Sequence, residues 1–228
     1  MTTPVSCLKV TFMTDDCKSG LALIAGSVAS IITMSLHPTG HDIFVPGRFH
    51  AVAQMAVAVH ALALLSLPVM FLGACGLSLR LAAPNRLAWA GLVIYAFALL
   101  AVMNAAVASG LIAPGLARRI LNAAPAGSEG WDIVFHYNFE LNQTFALVFV
   151  VASSAAILLW SSAILRDGQL ARGVGTYGCI LGPISLLAVL SGHLQLGVHG
   201  FGLVVVGQAL WFIPAGVSLC RSKISVRT

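Results

Sequence analysis

The sequence predicts an all-α membrane protein, a six-transmembrane-helix bundle with both termini cytoplasmic. Three observations predict it. Charge is scarce: 8% of the residues are Asp, Glu, Lys or Arg and 59% are hydrophobic, whereas soluble domains carry about 25% charged residues. The apolar residues gather into six continuous segments of about 18–25 residues, each long enough to cross roughly 30 Å of hydrocarbon. Lys and Arg divide unequally between the two sets of connecting loops, as the positive-inside rule requires. With no water in the bilayer to satisfy backbone groups, each segment must be a helix, and continuous rather than alternating hydrophobicity argues against a β-barrel.

Taken in order, residues 1–19 form a cytoplasmic tail. It carries Lys9, Asp15, Asp16 and Lys18 and no long apolar core, so the first span, near 20–36, reads as a retained anchor rather than a cleaved signal. The second span lies near 50–74 and the third near 87–110, joined by a turn bearing Arg80 and Arg86. The long connection 111–139 follows. Within it, 114–121 can make one or two helical turns along the interface, 124–128 breaks them, and Trp131 anchors the chain at the headgroups. The fourth span, near 140–165, ends at Arg166. The fifth, near 173–192, carries Gly178 and Gly182, a spacing that lets helices approach closely. The sixth lies near 199–219, and 220–228 form a second cytoplasmic tail. Pro68, Pro183 and Pro214 sit inside or near the ends of spans, where each can kink its helix.

Orientation follows from the basic residues. Lys9, Lys18, Arg80, Arg86, Arg166, Arg172, Arg221, Lys223 and Arg227 lie on one side, and Arg48, Arg118 and Arg119 on the other, nine against three. Cys7, Cys17, Cys75, Cys179 and Cys220 all fall on the basic side, as expected where a reducing compartment keeps thiols free. The predicted location is a bacterial-type plasma or inner membrane. Basic residues spread singly at span ends are topology determinants, so the net charge of +5 does not point to a nucleic-acid partner. The lipid bilayer itself is the expected partner.

The chemistry-bearing residues gather at the outer face. His37 ends the first span, His41 and Asp42 lie in the loop, and His50 opens the second span. His136 and Glu140 precede and open the fourth, one turn apart on one face. His193 ends the fifth span and His199 opens the sixth. Neutral imidazole is a ligand for zinc, copper and iron, and carboxylates complete such sites, so His37, His41, His50, His136, Glu140, His193 and His199 form a candidate metal set. Each of these histidines also fits as an interfacial residue capping a helix end. His60 stands apart, roughly 15 Å deeper in the second span. It reads as an interhelical hydrogen-bonding residue, a cofactor-binding haem ligand or a step in a proton path. Gln54, Asn104 and Gln208 read as interhelical hydrogen-bonding residues, with Gln54 placed to support His50.

Three functional classes follow. A metal or haem site could serve a membrane-embedded enzyme, either hydrolysing a lipid-like substrate through zinc-activated water or exchanging electrons with a quinone. The alternative is a small-molecule or ion transporter with a protonatable outer vestibule, in which His60, Asn104 and Gln208 mark the path. A non-catalytic membrane subunit is the third. The sequence contains no phosphate-binding loop, dinucleotide fingerprint, HExxH pair or serine-nucleophile elbow.

Overall fold

The computed structural model describes residues 14–39, 43–45, 47–82, 86–123, 125–168 and 170–221. Its regular structure is helical, with no strand among the described residues. Among the described residues seven α-helices run in the order α1 (Asp15–Ser35), α2 (Phe49–Leu81), α3 (Arg86–Val107), α4 (Ala113–Asn122), α5 (Pro125–Asp167), α6 (Arg172–Leu190) and α7 (Val198–Arg221). A π-helical turn, Ala108–Ile112, carries α3 into α4 without a break. Among the described residues, six helical stretches are long and apolar enough to cross a membrane: 15–35, 49–81, 86–122, 129–167, 172–190 and 198–221.

Local sequence explains the boundaries. Helix α1 begins inside the expected tail because Thr14 caps it: the hydroxyl accepts from the Cys17 amide at 3.2 Å, and Asp15 and Asp16 occupy the first turn, where the helix dipole favours negative charge. The expected loop 111–139 is corrected most. It is almost wholly helical, and α5 starts at Pro125, fifteen positions before the predicted span. Proline costs nothing at the first helical position, where its missing N–H would have no partner anyway. Residues 129–139 are polar enough to leave the hydrocarbon, yet nothing in them stops a helix.

Helix α1 packs against α2 and α7, α3 against α5, and α5 against α6. Small residues make these contacts close. A Cβ on Gly20 would stand 2.3 Å from the Gly216 carbonyl oxygen, and one on Gly182 would stand 2.9 Å from the Ser154 carbonyl oxygen. At the lower end of the α1–α7 contact the free thiols of Cys17 and Cys220 approach to 2.9 Å. The centre is aromatic. Trp160 and Trp211 are fully buried and stacked, with centroids 6.0 Å apart, and Tyr95 and Phe212 pack edge-on or tilted around them. Many large apolar side chains face outward, among them Leu65, Leu72, Phe97, Leu187 and Leu203, as lipid-facing helices require.

Candidate functional site

The site forms where α1 ends against the upper half of α2. Thr33 of α1 donates its hydroxyl to the Val59 carbonyl at 3.3 Å, which sets the two antiparallel helices in register. One turn beyond Thr33 the chain leaves the helix at Leu36, and His37 comes down onto the rung of α2 that carries His60. The two rings meet edge to face, with centroids 4.7 Å apart, and their Nε2 atoms stand 3.1 Å apart. His60 is buried, at 5% exposure, and His37 is half-buried.

Both rings are anchored through the other nitrogen. His60 Nδ1 lies 2.6 Å from the Ala56 carbonyl oxygen, and His37 Nδ1 lies 2.8 Å from the Pro38 carbonyl oxygen. A carbonyl can only accept, so each Nδ1 carries the hydrogen and each neutral ring directs its Nε2 lone pair into the gap between them. Burial pulls the His37 imidazole below the ordinary histidine value, and the bond to the Pro38 carbonyl offsets part of that shift. Two lone pairs facing across 3.1 Å repel unless a cation lies between or beside them. The arrangement therefore suits a proton or a metal ion held by both nitrogens.

The π-helical turn backs this pair. Gly110 lies against the His60 side chain, where an added Cβ would fall 2.2 Å from His60 Cβ. π-Helical turns occur as single insertions within α-helices, frequently at functional sites. The Ala108 carbonyl in this turn accepts from the buried Asn138 side-chain amide of α5 at 3.1 Å. The histidines open into a cavity of about 210 Å³, whose polar lining includes Asn138, Asn142, Gln143, Ser109 and Thr33 and whose apolar lining includes Phe139 and Phe201. Met34 lines it as well. Before α2, Ile43 is buried and lines the cavity, and Phe44 packs edge-on against Phe135 at 5.3 Å. Below, a cavity of about 80 Å³ shares Thr33, Met34 and Phe201 with the first and reaches Ser27 and Gln208. Gln208 there donates to Ser153 at 2.7 Å.

The sequence leaves open whether the outer histidines converge. Of the six described histidines, His37 and His60 meet, and among the described residues no group of three or more His, Cys, Asp or Glu side chains comes together as a metal site. His136 is exposed on α5, its ring bonded to the Asp132 carbonyl at 3.0 Å, and Glu140, one turn on, is exposed too. His193 is exposed and bonded to the Ser191 hydroxyl at 2.8 Å, and His199 is exposed at the start of α7. His50 is exposed and lines a separate surface cleft, along with Gln54. His41 and Asp42 lie outside the described residues. Asn104 is exposed and bonds the Leu100 carbonyl of its own helix, so it does not join the cavity path.

The residues missed by sequence reading are Gly110, Asn138 and Asn142. The last two carried a signal: two amides one turn apart, heading into an apolar segment, mark one polar face on α5. Compared with known protein families, curated proteins and solved structures, the chain matches none.

Proposed function

We propose that this is a multi-pass protein of a bacterial-type inner membrane, with cytoplasmic termini, whose outward-facing cavity holds a metal ion on His37 and His60. The observation that carries this reading is the meeting of two backbone-anchored imidazoles through their unprotonated nitrogens. Metal-bound histidines characteristically donate the other ring N–H to a carbonyl or carboxylate, which fixes tautomer and orientation. The spacing fits as well. Two nitrogens 3.1 Å apart, each about 2.0–2.1 Å from one ion, subtend an angle of about 100° there, close to tetrahedral. The same spacing leaves no room for a porphyrin between the nitrogens, so haem is not part of this reading.

Zinc and copper are the cations that suit two imidazoles, and the Met34 thioether in the same cavity favours copper. Two protein nitrogens leave open coordination positions for a molecule in the cavity. At about 210 Å³ the cavity is smaller than the roughly 300–1,000 Å³ pockets of drug-sized ligands. It suits a small molecule, or the polar head of a quinone or lipid-like substrate, more than a whole lipid. The amides of Asn138, Asn142 and Gln143 would orient such a head.

A second reading rests on a different observation, the run of polar side chains from His60 past Thr33 to Ser27 and Gln208. There the pair would hold one shared proton at the mouth of a transport path.

Titration of detergent-purified protein with Zn²⁺ and Cu⁺ separates the two. Wild type is expected to bind one equivalent. His37→Gln and His60→Gln are each expected to weaken binding by roughly a hundredfold or more, while His136→Gln, His193→Gln and His199→Gln bind as wild type. Folded wild-type protein that takes up neither metal, or equal uptake by His37→Gln and His60→Gln, overturns the metal reading. Substrate-coupled proton flux in proteoliposomes that is lost in His60→Gln, from protein binding no metal, would establish the second.

A further inference from the structure

A second cavity, on the lateral surface, has a different chemistry. It holds about 920 Å³ between the start of α2, α4 and the early turns of α5. Arg118, Arg119 and His50 line it, and among the described residues lining it there is no carboxylate. Both arginines are exposed, and neither takes part in an ion pair among the described residues. The Arg119 guanidinium lies 4.7 Å above the centre of the Trp131 ring, which holds it in place over the cleft. Helix α4 presents these charges because its other face is fixed: Leu116 and Ala117 are buried against the bundle.

The floor is mainly apolar, with Gln54 among the α2 residues on it. Along α2 the cleft descends from Phe49 to Val57 and Ala58, a drop of roughly 13 Å at the helical rise. Guanidiniums unpaired with carboxylate among the described residues at the rim, and a mainly apolar wall running toward the hydrocarbon, match a molecule with an anionic head and an acyl chain. A guanidinium binds phosphate through paired N–H donors, which a zwitterionic head would partly neutralise with its own cation.

We infer that this cleft binds an anionic phospholipid, its phosphate held by Arg118 and Arg119 and its upper acyl chain lying on α2. The site is independent of the histidine pair, since it shares no lining residue with that cavity. It also accounts for two adjacent arginines on the face that otherwise carries few basic residues.

Native mass spectrometry of the full chain, titrated in detergent with phosphatidylglycerol or phosphatidylcholine, tests this. One phosphatidylglycerol is expected to bind in preference to phosphatidylcholine. Each arginine changed to glutamine should weaken that binding by roughly fivefold, and the Arg118→Gln/Arg119→Gln pair by about twenty-five-fold, while the double lysine variant keeps most of it. Millimolar inorganic phosphate should not compete. Equal affinity for the two lipids, or a preference that survives the double glutamine variant, overturns the assignment. Full competition by inorganic phosphate overturns it in favour of a soluble anion. Both side chains are exposed, so the variants should keep the wild-type circular dichroism; should the double variant unfold, Arg118→Gln alone carries the test.

Discussion

Gly110→Ala is expected to disrupt the histidine pair at a modest cost to the fold. The added methyl would stand 2.2 Å from His60 Cβ, 2.3 Å from Cγ and 2.8 Å from Nδ1. Cβ and Cγ are the root of the side chain, so no rotamer change clears both. The π-helical turn and α2 must move apart, which shifts His60 relative to His37 and disturbs their 3.1 Å approach. Overpacking of this kind costs about 1–3 kcal/mol. Cation binding should suffer more, by roughly ten- to a hundredfold, the usual effect of disturbing the groups that orient a ligating histidine. Thermal unfolding together with the zinc or copper titration measures both. A folded Gly110→Ala protein with wild-type affinity would show that the π-helical turn does not position His60.

The largest stability effect belongs to Trp160. It is fully buried on α5, and its indole N–H reaches Ser78 Oγ of α2 at 3.0 Å and the Ala88 carbonyl of α3 at 3.1 Å. Its ring stacks on Trp211 of α7 at an interplanar angle of 12° and meets Tyr95 of α3 at 5.3 Å. One side chain thus ties four helices together. In a bilayer the helices are not driven together by exclusion from water, so this packing and hydrogen bonding supply the association directly. Trp160→Ala is expected to cost about 3–5 kcal/mol, the range for emptying a buried aromatic site. Trp160→Phe keeps most of the ring and should cost about 1 kcal/mol for the lost hydrogen bond. Reversible unfolding in mixed micelles would resolve the two. An alanine variant as stable as the phenylalanine one would contradict the central role given to this ring.

The spans were legible because hydropathy reports the solvent a segment needs, and six segments need hydrocarbon. The helix ends were less so, since hydropathy marks where the bilayer stops and not where the helix stops. Helix α5 continues through Glu129, Asp132 and His136, residues that leave the membrane without leaving the helix. Asn138 and Asn142 were missed for the same reason: they fall at the fringe of the apolar window while lining the cavity.

The histidine pair was half legible. Outer position flagged His37, and depth set His60 apart, yet the two belong together. Their meeting depends on the register of α1 against α2, fixed by Thr33 and Val59, and on α1 ending at Ser35, well below the start of α2. Neither relation is written in either helix alone. His136 and Glu140 show the converse. Their spacing was a sound two-ligand platform, but both are exposed on α5.

The central claim is that His37 and His60 act as one cation-binding unit with both Nε2 atoms unprotonated in the neutral state. Nitrogen-15 spectra of ring-labelled histidine in the reconstituted full chain test it most directly, with His37→Gln and His60→Gln to assign the signals. The account predicts that both residues hold the Nδ1–H tautomer and that their Nε2 signals shift together when one equivalent of zinc or copper(I) is added. Either ring in the Nε2–H tautomer, or two Nε2 signals that stay put or move independently, would contradict it.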